Sequence, residues 1–190
     1  MATSQSTIVL AGRRIDAGGA PARFPLSRLT DVTIAVHTLF RARRATHLVC
    51  AAACGADLIA LAAARSLGMQ RRIVLPFAAA KFRAESVIDR PGDWGDLYDG
   101  MIAEATASGN LVVLKNGAKL ADPFSATNQR LIEEAFAVSG ETPGVRVRKS
   151  KLRAVVVWEG RSRGPGDYTQ EFADMAKAQG IPVEVVLTSK

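Results

Sequence analysis

The chain has 190 residues, enough for one α/β domain with a sizeable core. Hydrophobic residues make up 48% of it and charged residues 23%, which excludes a disordered chain, and the net charge of +7 points to anionic partners. It shows no secretory leader and no apolar run of about 18 residues, so a soluble, cytoplasmic protein without a membrane span is expected.

Ser6 to Ala11 predicts the first strand, which runs into Gly12-Arg13-Arg14-Ile15-Asp16. Arginines just past a strand's C-terminal end sit where open parallel sheets bind ligands, and their planar forks match phosphate oxygens. The alternative is a solvated basic loop. Gly18, Gly19, Pro21 and Pro25 make the next stretch long and irregular, and such loops are often functional. Val32, Val36, Leu39 and Phe40 recur at helical spacing and predict a helix over Asp31 to Ala45, capped by Thr30 or Asp31. His37 and His47 have no metal-ligand partner at useful spacing and read as structural or surface residues.

Thr46 to Pro76 organises the rest. Leu48-Val49-Cys50 reads as a strand, Gly55 as a sharp turn, Ala56 to Leu67 as a helix ended by Gly68, and Arg72 to Leu75 as a strand stopped by Pro76. This is a right-handed parallel crossover whose helix N-terminus suits a phosphate. Asp57 would repel a phosphate directly above it, so a bound nucleotide should offer it a ribose hydroxyl or base edge. In a plain crossover without ligand, Asp57 would simply favour the helix dipole. Cys54, near that helix start, is open to a lowered pKa or to the role of a small buried thiol; no acid–base partner is visible.

Phe82, Val87 and Ile88 predict a short helix or turn among Lys81, Arg83, Glu85 and Ser86, whose basic members can reach the crevice of Arg13 and Arg14. Asp93 to Ser108 reads as a helix with Trp94, Leu97, Tyr98, Met101 and Ile102 on its apolar side. These are more large side chains than one sheet face needs, which motivates a two-fold dimer. Asn110 to Lys115 predicts a strand and Phe124 to Val138 a helix, with Asn128 near its start. Gly140 to Ser150 is a polar, basic linker or strand lead-in. Arg153 to Trp158 is an apolar strand that leads through Glu159, Gly160, Arg161, Arg163, Gly164 and Gly166 to Thr169. Three glycines, two arginines and a hydroxyl before the helix Gln170 to Gln179 form a second phosphate cradle. Val183 to Leu187 is the last strand. About six strands alternating with helices give an α/β fold over residues 1–190: one doubly wound, Rossmann-like, mostly parallel sheet with helices on both faces.

GRRID after a strand, RFP, CAAACGADLIALAAA, VLPF-x4-F-x3-SV, DW-x3-Y, Asn128 and VVWEG…GPGDYT…A-x3-G-IPV occur in an order that resembles the SLOG-type Rossmann-like domains. That group includes the Lonely Guy phosphoribohydrolases and the DNA-processing protein A fold, and the nearest look is to bacterial domains beside signalling or antiphage modules. The resemblance spans nearly the whole chain and implies a nucleotide-derived ligand at the strand C-termini. Relatives often read GHR where this chain has Gly12-Arg13-Arg14, and a GGT turn where it has Gly166-Asp167-Tyr168-Thr169. The phosphoribohydrolase signature PGGxGTxxE is absent.

The expected function is therefore to bind or sense a nucleotide or nucleotide-derived small molecule. Arg13 and Arg14 would hold phosphate, with Gly12 beside them; Gly55 and Ala56 would allow close backbone approach, and Asp57 would meet ribose or base. Gly160, Gly164, Gly166 and Thr169 would form the second cradle, and Lys81, Arg83 and Ser86 would complete the crevice. A rival reading is an N-glycosidic hydrolase using Glu159, or else Glu85, at the sugar. Against it, Glu159 has the simpler role of pairing with Arg161 or Arg163 or capping the loop. A third is nucleic-acid binding through Arg146, Arg148, Lys149 and Lys151, which lacks aromatic interleaving and any recognised motif. No metal and no catalytic residue is assigned.

Overall fold

Alternation along the first strand decides the layering. In β1 (Thr7–Gly12), Ile8 and Leu10 enter one apolar core and Val9 the other, because successive strand side chains point to opposite faces. The computed structural model describes residues 6–19, 21–115, 119–145 and 150–189. Arg146, Arg148 and Lys149, named above for nucleic acid, lie outside the described residues.

The chain continues through α1 (Leu29–Ala42), β2 (His47–Cys50), α2 (Ala56–Ser66), β3 (Gln70–Leu75), α3 (Ala79–Ser86), α4 (Gly95–Ala107) and β4 (Leu111–Val113). Then follow α5 (Pro123–Ser139), β5 (Leu152–Trp158), α6 (Tyr168–Ala178) and β6 (Val183–Leu187). All six strands are parallel, in the order β4-β3-β2-β1-β5-β6. The chain builds outward from β1 to β4, crosses back, and builds outward again through β5 and β6. Right-handed crossovers in opposite directions place their helices on opposite faces. Accordingly α1, α2 and α4 cover the face of Ile8, Leu48 and Ile73, while α5 and α6 cover that of Val9, Val49 and Val74. The α/β, doubly wound sheet expected from the sequence is the one observed.

Local chemistry sets the helix ends. The Asp122 carboxylate accepts from Ser125 N at 3.0 Å, and Pro123 opens α5, where its missing N–H costs nothing. A 3-10 turn, Leu26–Arg28, feeds α1 directly, so the helix begins at Leu29, and Asp31 pairs with Arg28 within the first turn instead of capping. Trp94, Tyr98 and Met101, the motive for a dimer, are buried within the chain itself; Tyr98 donates its hydroxyl to Ala79 O and Trp94 its Nε1–H to Pro91 O. No helix among the described residues is long and apolar enough to cross a membrane.

Candidate functional site

With every strand parallel, all six C-terminal ends lie along one edge, and the strand order reverses between β1 and β5. Neighbouring loops diverge at such a reversal and leave a crevice. Here a cavity of about 580 Å³ opens, walled by the loop after β1, the ends of β2 and β3, α3, and the first turns of α5 and α6. Depressions of about 230 and 260 Å³ lie at the opposite edge, around Gly68 to Arg71 and around Arg71, Arg72 and Asn110.

The two neighbouring arginines after β1 part company. Arg13 is only 4% exposed. Its Nε donates to Glu159 Oε2 at 2.7 Å, and its Nη1 and Nη2 donate to the two Asp167 oxygens at 2.5 and 2.9 Å. Nη2 also donates to Arg161 O at 3.0 Å, and the guanidinium carbon lies 5.6 Å from the Trp158 ring centre. Burial works against the Arg13 charge, but Asp167 and Glu159 outweigh it and strengthen its hold on the proton. Its fork thus grips its own protein, whereas it was expected to hold phosphate. Glu159, the candidate hydrolytic carboxylate, is the other half of that grip and also accepts from Arg23 Nη1 at 3.2 Å. Burial would raise its pKa; the bonds from Arg13 and its own N–H lower it further than burial raises it. Its carboxylate pairs with Arg13 and Arg23, not with the expected Arg161 or Arg163.

The second cradle has an anion built into it. Asp167 caps α6, accepting from Thr169 N at 3.1 Å and Gln170 N at 3.2 Å, and its other oxygen accepts from Arg163 N at 2.7 Å. Burial alone would raise its pKa, yet Arg13 and these backbone donors hold the carboxyl well below the usual carboxylate range.

Arg14 turns the other way, donating to Glu85 O at 3.0 Å and to both Asp89 oxygens at 2.9 Å while remaining part-exposed at the cleft. Gly55 stands at φ +90°, and a Cβ there would lie 2.8 Å from Arg13 O and Ile15 N. Ala56 N donates to Arg13 O at 3.1 Å. The turn thus fits tightly against the loop after β1 and uses one of α2's free N–H groups. Gly12 packs equally closely: a Cβ would meet Ala56 Cβ and Val157 O at 2.5 Å. The close backbone approach foreseen at Gly55 and Ala56 is real, but it is to protein.

Asp57 sits in the cleft wall and is only 7% exposed. Its Oδ2 accepts from Ala53 N at 3.1 Å, and burial pushes the carboxyl up to about 7 against that bond and the charge of Arg14. Cys54 is buried, and burial drives its thiol up to about 11, which overturns a thiolate lowered by the helix start. The described residues hold no cluster of three or more His, Cys, Asp or Glu able to bind a metal.

Of the residues singled out from sequence, Gly12, Arg13, Arg14, Asp57, Glu85, Ser86, Arg163 and Thr169 share the cleft wall. Gly55, Ala56 and Glu159 stand behind it, in the packing of the two loops, whereas Gly160, Gly164 and Gly166 lie on the exposed turn between β5 and α6 and do not line it. Lys81 pairs with Glu85 over the Phe77 ring, and Arg83 reaches away to Asp99 at 2.9 Å, so neither lines the cleft.

Sequence reasoning missed several wall residues. Phe82, Phe124 and Tyr168 come from α3, α5 and α6; Phe124 and Tyr168 have ring centres 5.4 Å apart, and Phe77 links Phe124 to Phe82 at 6.2 and 6.0 Å. Arg23, in the loop after β1, and Arg90, in the loop after α3, add positive charge beside Arg163, which the sequence already places in the second cradle. Asn128, noted only by position, donates to Tyr168 O at 2.8 Å and to Glu171 at 3.0 Å, binding α5 to α6 at the cleft wall. The one signal for Asp167 was its place as an acidic residue just before a helix, where N-caps occur. No protein-family model matches the chain, and no curated protein matches it.

Proposed function

We propose that the cleft binds a nucleotide or nucleotide-derived small molecule. The observation that carries this reading is the pairing of two chemistries in one cavity of about 580 Å³: arginines and aromatic rings. Arg13, Arg14 and Arg90 are paired with Glu159, Asp167 and Asp89, which leaves Arg23 and Arg163, whose guanidinium donors are mostly uncommitted, to favour an anion at this wall. Phe124 and Tyr168, both half-buried, supply apolar ring surface suited to a base, backed by the buried Phe82. The cavity has the size of a small-molecule site and lies at the strand reversal, where open α/β sheets take such ligands. Asp57 then accepts from a ribose hydroxyl or an exocyclic amine. Membership of the SLOG-type group rests on the resemblance of motif order and accords with this reading.

A second reading, hydrolysis of an N-glycosidic bond, has one observation in its favour: Asp57 is a cleft carboxyl that holds its proton up to about pH 7, as a general acid requires. Glu159 does not serve, because both its oxygens are engaged by arginines.

Native mass spectrometry of protein purified from cells tests the binding reading, with calorimetry against a panel of nucleotides. A retained or titratable nucleotide is expected; its absence in both experiments refutes the proposal. Incubation of the panel with the protein should release no free base, and release abolished by Asp57→Asn, with binding kept, establishes the enzyme instead.

A further inference from the structure

We propose that Asp167 stands as an internal anion at the α6 N-terminus, and that Arg163 and Arg23 hold the phosphate group of a nucleotide one step further out. The inference rests on the nucleotide-cleft reading and identifies its phosphate station. A helix start after a glycine-rich loop ordinarily offers free N–H groups to phosphate. Here Thr169 N, Gln170 N and Arg163 N already donate to the Asp167 carboxylate, and Arg13 clasps it with two further bonds. A phosphate placed there would meet a buried carboxylate at short range, in surroundings where like charges repel strongly.

The charges around it do not balance. Among the described residues Arg13, Arg23 and Arg163 find two ion-pair partners, Glu159 and Asp167, while the nearby Asp16 carboxylate is taken by the Arg23 and Phe24 backbone N–H groups. Arg163 carries most of the surplus: its Nε lies 3.8 Å from Asp167 Oδ1, beyond a hydrogen bond, and its side chain is 44% exposed. Partial burial and the nearby positive charges of Arg13 and Arg23 weaken its hold on the proton, although Asp167 and Glu159 oppose this. Arg23, 33% exposed, has one side-chain bond, to Glu159 Oε1 at 3.2 Å, which leaves most of its donors available. Both side chains line the cleft. A phosphate oxygen between them would relieve the crowding of like charges and receive charge-assisted hydrogen bonds. Arg13 takes no part in binding; its task is to neutralise the internal anion.

Titration of uniformly isotope-labelled protein with inorganic pyrophosphate, read through the arginine Nε–H and the backbone amide signals, tests this. The Arg163 and Arg23 signals should move while Arg13 stays in place. Arg163→Gln and Arg23→Gln should each weaken pyrophosphate roughly tenfold or more, with unfolding transitions close to wild type because both side chains are partly exposed. Movement of the Thr169 and Gln170 amides instead, or affinity unchanged in both variants, overturns the inference. Adenosine, guanosine, cytidine and uridine monophosphates form the second arm. A nucleotide that binds with Arg163→Gln and Arg23→Gln unaffected overturns the phosphate station and leaves the cleft reading standing. Pyrophosphate binding at these arginines with no gain from any nucleotide supports the anion station and retires the nucleotide.

Discussion

Arg13→Met removes the cation that neutralises two buried carboxylates. The side chain of Arg13 is 4% exposed, and those of Glu159 and Asp167 are 9% and 1% exposed. Methionine fills a similar length without charge, so the variant loses the pairing together with the bond to Arg161 O and the cation's contact with Trp158. Breaking a buried pair from one side costs about 3–5 kcal/mol. For a chain of 190 residues this lowers the melting temperature by roughly 8–12 °C. The pH dependence is the sharper test. In the wild type both carboxyl pKa values are lowered, so their contribution is present above the unfolded value near 4 and is lost as pH falls through the folded values. In the variant the strongest lowering cause is gone while burial and the remaining donors stay, so the folded pKa values rise from their depressed wild-type positions. Protonation then relieves the uncompensated charge, and the gap to wild type narrows as pH falls from 7 toward 4.5. Urea denaturation at several pH values measures this directly. Arg14→Met, which breaks a part-exposed pair with Asp89, is the control and should cost under about 1 kcal/mol. A gap constant with pH, or equal to that of the control, refutes the account of Arg13.

Two further outcomes follow from the loop packing and the cleft. Gly55→Ala should cost about 3 kcal/mol or more, combining a positive φ with a Cβ pressed against backbone, whereas Gly68→Ala, at φ +66° in open space, should cost only about 1–2 kcal/mol; equal losses in chemical denaturation would show that the contact with Arg13 O and Ile15 N is immaterial. Asp57 keeps its proton to about pH 7 when folded and to about 4 when unfolded, so folding takes up a proton between these values and stability rises as pH falls through that window. Asp57→Asn should therefore be more stable than wild type at pH 8, with the advantage shrinking toward pH 5, and a pH-independent difference would show that Asp57 is not shifted.

Much of this architecture was legible because its elements carry strong local signals. Leu48-Val49-Cys50, the turn at Gly55 and the helical run to Leu67 read as a crossover without help from the rest of the chain, and the helix ends one residue earlier, at Ser66. The start of α1 did not, since the 3-10 turn that feeds it has no cap residue to announce it. At the site, the loops were foreseen and the directions of their side chains were not. Arg13 and Arg14 are adjacent, yet the partners that draw them apart lie 146 and 154 residues away for one and 71 and 75 away for the other. No local spacing encodes such distances. The same holds for the aromatic wall, whose rings come from three helices and meet only after the sheet is assembled.

The central pairing of β1 with β5 has a consequence for the order in which the chain can fold. The neighbours of β1 are β2, the next strand in the chain, and β5, which begins at Leu152. During synthesis β1 to β4 emerge as a run of nearest-neighbour pairings, with one flank of β1 exposed until β5 is made. That flank, Thr7 to Gly12, is an apolar row of unpaired backbone groups, a template for association between chains. Closing the sheet there is the most non-local step of the fold and so the slowest kind. The clasp between Arg13 and Asp167 forms only after it, so the cleft wall between β1 and β5 is completed last, once that flank has been sealed.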